Sequence, residues 1–107
     1  MPFADEQSFN TRISECVERG ISSLGEGVKD SLYYQIGLRH HLTKEELSSR
    51  PLDVVAYVSE LLGPVGASLI ERLVVREIRK SFDLKSEVGT SLNQTIQEAK
   101  EKFLRVS

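Results

Sequence analysis

Hydrophobic residues recur along this chain with the three- and four-residue spacing of amphipathic helices. The first segment shows it most clearly, because its apolar residues fall at every fourth position: Phe9, Ile13, Val17 and Ile21. This spacing places all of them on one face of a helix, and that face must be buried. No segment alternates apolar and polar residues long enough to indicate a β-strand. The pattern therefore predicts an all-α fold, a compact bundle of about five helices plus a short helical turn.

A second helix is predicted from near Gly25 to the histidine pair, His40 and His41. Ser23 and Glu26 have the Ser-x-x-Glu spacing of a capping box, which indicates the start of this helix. Its expected inner row consists of Val28, Leu32 and Ile36, and two tyrosines, Tyr33 and Tyr34, widen this apolar stripe.

Three further residue pairs have the spacing of a capping box: Thr43 with Glu46, Ser68 with Glu71, and Ser91 with Gln94. The first pair predicts a short helical turn at 44–47, and the last pair starts the terminal helix. Pro51 lies in the first turn of a longer helix, since proline suits that position. Gly63 and Pro64 interrupt the helix, and the next one starts at Pro64 or at Ser68.

Each of these three helices has a predicted apolar face. The helix that starts at Pro51 is predicted to carry on its inner face Leu52, Val55, Val58 or Ser59, and Leu62. The helix near 68–82 is the most apolar, so it is predicted to be central, with Leu69, Ile70, Leu73, Val74, Val75, Ile78 and Phe82. After a polar connection at 83–90, the terminal helix carries Leu92, Ile96, Ala99 and Phe103.

The composition is that of one ordinary globular domain, which we place at 1–107. The formal net charge of -2 argues against a nucleic-acid binder driven by bulk charge. Cys16 is the only cysteine, so no intrachain disulfide or thiolate metal cluster can form, and a reducing setting is favoured. The first residues do not resemble a signal peptide, and no run of about 18 apolar residues indicates a membrane span. We expect a cytoplasmic protein without a membrane partner.

The adjacent histidines invite a metal or phosphotransfer hypothesis. Neighbours on a helix point about 100° apart, so two of them converge poorly on one metal ion. His41 and Lys44 have the His-x-x-Lys spacing of phosphotransfer domains, but Thr43 is better used as a helix cap. The favoured interpretation is structural: His40 closes the apolar row after Ile36, and His41 ends the helix in a left-handed conformation.

Basic residues form a row on the central helix: Arg72, Arg76, Arg79 and Lys80. One interpretation is a solvated face with internal ion pairs to Glu71 and Glu77. The functional interpretation is a docking surface for an acidic partner or for phosphates. The segment 61–68 also loosely suggests a helix-turn-helix, although the first turn of its second helix offers no side chain that reads bases well.

Two other candidate sites, Cys16 and the tyrosine pair, are interpreted as structural. Cys16 has no histidine near it in the sequence to activate it, so a small buried residue is the expectation. Tyr33 and Tyr34 are helical neighbours, so one ring is expected in the core and one at its edge. No catalytic, metal or cofactor-binding residues are predicted.

Three stretches, "LGEGVKDSLYYQI", "LTKEELSSRPLDV" and "ELLGPVGASLIERLVVREI", resemble a family of small helical archaeal domains. These Nitrosopumilus-type domains are described as output domains attached to signalling proteins. The resemblance covers 24–82 and leaves out the flanking amphipathic helices, 5–24 and 91–104. It implies an all-helical module without catalytic residues to carry over. A glycine often stands in this family where this chain has His41.

The sequence therefore favours a non-catalytic protein–protein interaction or signal-output module, with Arg72, Arg76, Arg79 and Lys80 as its candidate surface. The flanking helices either complete the core or pair with a second chain, and we favour a homodimer through them. One alternative is a DNA-binding regulator that uses the arginine-bearing helix. The other is a small metal-linked enzyme.

Overall fold

A computed structural model describes residues 6–48, 50–85 and 91–106. It contains α1 (Glu6–Ser22), α2 (Glu26–His40), α3 (Lys44–Ser48), α4 (Pro51–Phe82) and α5 (Leu92–Val106). The described residues form no strand, and the predicted all-α fold is confirmed. Residues 1–5, on which the absence of a signal peptide was argued, and 86–90 of the predicted polar connection lie outside the described residues.

The long helix α4 is bent at Gly63, which has non-helical angles (φ 77°, ψ -177°). Pro64 follows and cannot donate a backbone hydrogen bond, so the predicted interruption is confirmed. A straight helix of this length would measure about 48 Å, whereas the longest dimension of the molecule is 39 Å. Phe9 of α1 lies beside both ends of α4, since it lines a groove with Arg50 and contacts the Phe82 ring. The bend therefore folds α4 into two arms, 51–62 and 64–82.

Helix α1 runs antiparallel to the second arm of α4. Phe9 lies near Phe82, with ring centroids 5.5 Å apart, while Gly20 lies against Val74. The apolar stripe predicted for α1 is buried in this contact: Phe9, Ile13, Cys16, Val17 and Ile21. This helix therefore completes the core of its own chain.

Helix α5 covers the second arm from another side and runs in the same direction. At its start, the Leu92 backbone N–H donates to Glu71 Oε2 at 3.1 Å. Near its end, Lys102 Nζ donates to the Asp83 carbonyl oxygen at 2.6 Å. The Phe103 ring joins the cluster formed by Phe9 and Phe82. The apolar stripe of α5 thus packs on the core of its own chain, with Leu92 and Ala99 buried and Ile96 and Phe103 partly buried.

The prediction of a central, buried helix is confirmed for most of its apolar residues. The predicted burial is wrong for one residue of that helix and for three residues of other segments. Ile70, Val74, Val75, Ile78 and Phe82 are buried. Exposed instead are Leu69 (41% exposed), Leu62 (39%), Leu52 (45%) and Val28 (44%). Leu62 and Leu69 flank the bend, where Pro64 and Val65 are also exposed, so no described helix covers the bend. The helical spacing of apolar residues could not predict this exposure, because the exposure depends on which neighbouring helix packs against each position.

Two of the predicted capping boxes are confirmed. The Thr43 N–H donates to Glu46 Oε1 at 2.9 Å, and the Glu46 N–H donates to Thr43 Oγ1 at 3.1 Å. The same reciprocal pair links Ser91 and Gln94.

The other two boxes are wrong. Ser68 lies inside the second arm of α4, and Glu71 binds α5 rather than its own helix. Ser23 Oγ donates back to the Arg19 carbonyl oxygen, and Gly25 occupies the start of α2 with no side-chain cap. A spacing of three residues is necessary for a capping box, but it does not make a helix begin there.

By length and composition, one helix of the described residues, α4, could cross a membrane. Core helices of soluble proteins pass the same test, and α4 supplies core residues from both arms around its bend. The expectation of no membrane span stays a prediction.

Candidate docking surface

The second arm of α4 presents a line of exposed residues on the side opposite the core. We call Val65, Leu69, Arg72 and Arg76 the α4 stripe. Because an α-helix turns by about 100° per residue, the other three side chains project within about 40° of the direction of Val65 around the helix axis. All four are exposed, and Val65 is 86% exposed, which is unusual for a large aliphatic side chain. The stripe is thus apolar near the bend and basic further along.

Both glutamates of the second arm are engaged away from the stripe. Glu71 binds the first backbone N–H of α5. Glu77 is nearly buried and forms ion pairs with Arg19 of α1 (3.4 Å) and with Lys80 (3.8 Å). Among the residues that the structure describes, neither Arg72 nor Arg76 has an ion-pair partner.

The predicted basic row is therefore divided. Arg72 and Arg76 lie together on the stripe, whereas Lys80 is directed toward Glu77 and Arg79 is half-buried. Internal ion pairing, which the solvated-face interpretation of the row predicted, is seen between Lys80 and Glu77. Two unpaired, exposed guanidinium groups beside two exposed aliphatic side chains can bind a surface that carries carboxylates and apolar groups.

A second surface was not predicted from the sequence. Tyr34 and Leu38 are four residues apart on α2 and are 68% and 62% exposed. Together with Asp30 and Lys44 they border a groove of about 430 Å³, which we call the α2–α3 groove. Apolar and small residues complete its lining: Tyr33, Gly37, Leu42 and Leu47. The signal for it was present in the sequence, because Tyr34 and Leu38 lie outside the row of Leu32 and Ile36.

The surroundings of the α2–α3 groove are acidic. Asp30 is part of its lining. On the other side of Lys44, a neighbouring groove along α1 and α3 includes Glu15, Glu18 and Glu45. The only described basic residue in the two linings is Lys44, so this region is opposite in charge to the α4 stripe.

The histidine pair does not form a joint site. His40 stacks on Tyr57 with ring centroids 3.8 Å apart, and its Nε2 lies 3.8 Å from Glu60 Oε1. His41 ends α2 in the left-handed conformation (φ 56°, ψ 46°), as predicted. The Leu42 N–H then donates to the Gly37 carbonyl oxygen, which closes the end of the helix. Within the described residues no three histidine, cysteine or acidic side chains cluster as metal ligands.

The other structural interpretations can also be compared with the fold. Cys16 is fully buried, and burial raises the pKa of its thiol, so it is a core residue as expected. Tyr33 is buried, whereas Tyr34 is far more exposed than a ring at the core edge. The prediction for Tyr34 is thus wrong in degree, because no helix among the described residues covers that side of α2.

Comparison with known proteins gives no match: no family model, no curated protein and no solved structure matches this chain.

Proposed function

We propose that this chain is a non-catalytic protein–protein interaction module of the signal-output type, and that it binds its partner through the α4 stripe. One observation carries the proposal: Arg72 and Arg76 are exposed and unpaired beside the exposed Val65 and Leu69. Charges on a helix surface pair with residues three or four positions away, and none of those positions around Arg72 or Arg76 holds an acidic residue.

The stripe defines the chemistry of the partner. Val65 and Leu69 require an apolar contact, and the two arginines require carboxylates about one to two helical turns away. Arginine binds carboxylates through two parallel hydrogen bonds, which fixes orientation as well as affinity. The partner surface is therefore a protein face with apolar side chains followed by acidic ones.

The output role comes from the resemblance over 24–82, and it remains part of the proposal. The flanking helices α1 and α5 support a domain that presents its surface on α4, since both pack against the second arm on the side away from the stripe. A cytoplasmic location and the absence of a bound cofactor belong to the same proposal.

DNA binding is the competing use of the same arginines. The residues at the start of the second arm are small or apolar and offer no side chain for reading base edges: Pro64, Val65, Gly66 and Ala67. The net charge of -2 also weakens any attraction to a duplex. The protein partner is therefore favoured over the nucleic acid.

Site-specific photo-crosslinking in the native cells tests the proposal. A photoreactive amino acid replaces Val65, and the matched control carries it at Gln97, an exposed polar position on α5. We expect a defined protein adduct at position 65, identified by mass spectrometry, that is absent at position 97. The adduct should be lost when Arg72→Glu and Arg76→Glu are added.

Equal adducts at positions 65 and 97 would contradict the proposed function, since they would report random encounter. Nucleic-acid adducts at position 65, together with binding of a fluorescent DNA duplex at low salt that is lost with Arg72→Ala and Arg76→Ala, would favour the DNA-binding alternative instead.

A further inference from the structure

We infer that the α4 stripe of one chain docks in the α2–α3 groove of a second copy of the same chain. The inference rests on the proposed function, because it names the partner of the same stripe. It differs from the homodimer predicted from the sequence, which would use the terminal helices. In the described residues of α1 the large apolar side chains are all buried, so that helix offers no apolar surface to a partner.

The shapes of the two surfaces correspond. The stripe has the i, i+4, i+7, i+11 spacing of a helix that lies in a groove, with Val65 and Leu69 as its two apolar anchors. The α2–α3 groove offers apolar walls in Tyr34 and Leu38, which are exposed and also four residues apart.

The stripe and the region around the groove carry opposite net charges. Arg72 and Arg76 are unpaired cations, and the stripe contains no acidic residue. The groove has Asp30 and Lys44 in its lining, which balance each other, and the three glutamates of the neighbouring groove give this region its net negative charge. Val65 and Leu69 would cover the apolar walls while the arginines reach these carboxylates. This complementarity within one chain is the observation that identifies the partner as a second copy.

The stripe and the groove share no residue and lie on different helices, so each chain has both surfaces available. Contact between unlike surfaces is heterologous, and such contacts join chains head to tail into rings or open chains. Association should therefore increase with protein concentration. It should also weaken as salt is added, because the paired charges lie at the surface.

Two variants separate the surfaces. The stripe variant carries Arg72→Glu and Arg76→Glu and keeps its groove. The groove variant carries Asp30→Asn and Leu38→Gln, which pair with neither sign of charge, and keeps its stripe. The control for charge is Arg50→Glu with Lys85→Glu, which changes the net charge as the stripe variant does but at exposed positions on neither surface. All of these positions are exposed, so the fold should survive, and circular dichroism verifies that.

Light scattering is measured at chain concentrations up to about 1 mM, where weak contacts are still populated. We expect the average mass of the unmodified chain and of the charge control to rise above the 12.0 kDa of one chain. Each surface variant alone should stay at one chain. A one-to-one mixture of the two variants should form a dimer that does not grow further, since only one compatible contact remains.

A monomeric unmodified chain over this range would overturn the inference. So would a mixture that stays monomeric while the unmodified chain associates, because another interface would then be responsible. Arginine-dependent binding to vesicles that contain phosphatidylserine, by a chain that stays monomeric, would assign the stripe to a membrane surface instead.

The inference can fail without the proposed function failing. A chain that remains monomeric but still gives an arginine-dependent adduct with a different protein at position 65 would retain the stripe as a docking surface with another occupant. A chain that stays monomeric and gives no arginine-dependent adduct at position 65 would contradict both proposals.

Discussion

Gly20 of α1 lies directly against Val74 of α4. A Cβ atom at position 20 would lie 3.0 Å from Val74 Cγ2 and 3.1 Å from the backbone Cα and N of Val74. Glycine is a poor helix residue, so its presence inside α1 is explained by the close approach that it permits. The contact sets how closely α1 can pack on the second arm of α4.

Gly20→Ala should therefore destabilise the protein by about 1–3 kcal/mol, as overpacking of a core does, despite the better helix propensity of alanine. Gly27→Ala is the matched control, because nothing lies within 4 Å of a Cβ at position 27 of α2. It should be neutral or stabilising, by up to about 1 kcal/mol. Urea unfolding of both variants measures the difference, and equal effects would show that α1 can move away from Val74.

His41→Gly should leave stability unchanged or raise it by up to about 1 kcal/mol, because glycine adopts the left-handed conformation without steric cost. The backbone at His41 has φ 56°. His41→Val should lower stability, since a branched side chain is strained there. Thermal unfolding checks both variants. A strongly destabilised His41→Gly protein would mean that the imidazole makes a needed contact.

Thr43→Ala should cost about 1 kcal/mol, because it removes the side-chain cap of α3. Ser68→Ala is the matched control: Ser68 has the same sequence spacing to a glutamate but lies inside α4. That change should be neutral or slightly stabilising, since alanine is the better helix former. Chemical denaturation distinguishes the two, and a comparable loss for both would indicate that Ser68 caps a separate helix.

Tyr33 should ionise at a higher pH than an unperturbed tyrosine. Burial, with a smaller contribution from Glu18, raises the pKa of Tyr33 to about 12, from 10.0 for an unperturbed tyrosine. The folded state favours the neutral phenol of Tyr33, so the stability that the raised pKa contributes is fully present below pH 10. It is lost as the pH rises toward 12, because the unfolded chain releases the proton first, and the loss amounts to about 2 kcal/mol at pH 12.

An ultraviolet titration of the three tyrosines should contain one late component, which Tyr33→Phe removes. The phenylalanine variant should also lose less stability between pH 10 and 12. If the late component persists in Tyr33→Phe, then another tyrosine is responsible for it.

Arg72→Glu with Arg76→Glu should change the free energy of unfolding by less than about 0.5 kcal/mol, as is usual for exposed residues away from structural features. Glu71→Ala should cost about 1–2 kcal/mol, because it leaves the Leu92 N–H without the carboxylate it binds. Guanidinium unfolding measures both. A large loss for the arginine variant would show that these cations stabilise the fold and do not serve as a free surface.

The sequence alone predicted most of the local structure. The stripe of α1, the end of α2 at His41 and the interruption at Gly63 depend on periodicity and on backbone preferences, which act over a few residues. Those predictions are confirmed because the physical causes are local. Of the candidate site, the sequence identified Arg72 and Arg76, but it also included Lys80, which is paired with Glu77.

The tertiary structure alone decided which apolar residues remain exposed. Leu69 and Ile70 are neighbours with similar side chains, yet Ile70 is buried and Leu69 is 41% exposed. Thr95, a polar residue, is fully buried, and its hydroxyl is satisfied there because it donates to the Ser91 carbonyl oxygen at 2.8 Å. Burial depends on which helix lies alongside, and the bend at Gly63 sets that arrangement.

The pairing of charges was decided in the same way. Glu71 and Glu77 are each adjacent to one of Arg72 and Arg76 and five residues from the other, a spacing at which they do not pair along the helix. Glu71 is instead held by the start of α5, and Glu77 is held by Arg19 of α1. The sequence determined where the helices lie and which faces are apolar. The packing of α1 and α5 on α4 determined which face of the second arm stays exposed, because both helices pack on its other side and bind Glu71 and Glu77 there.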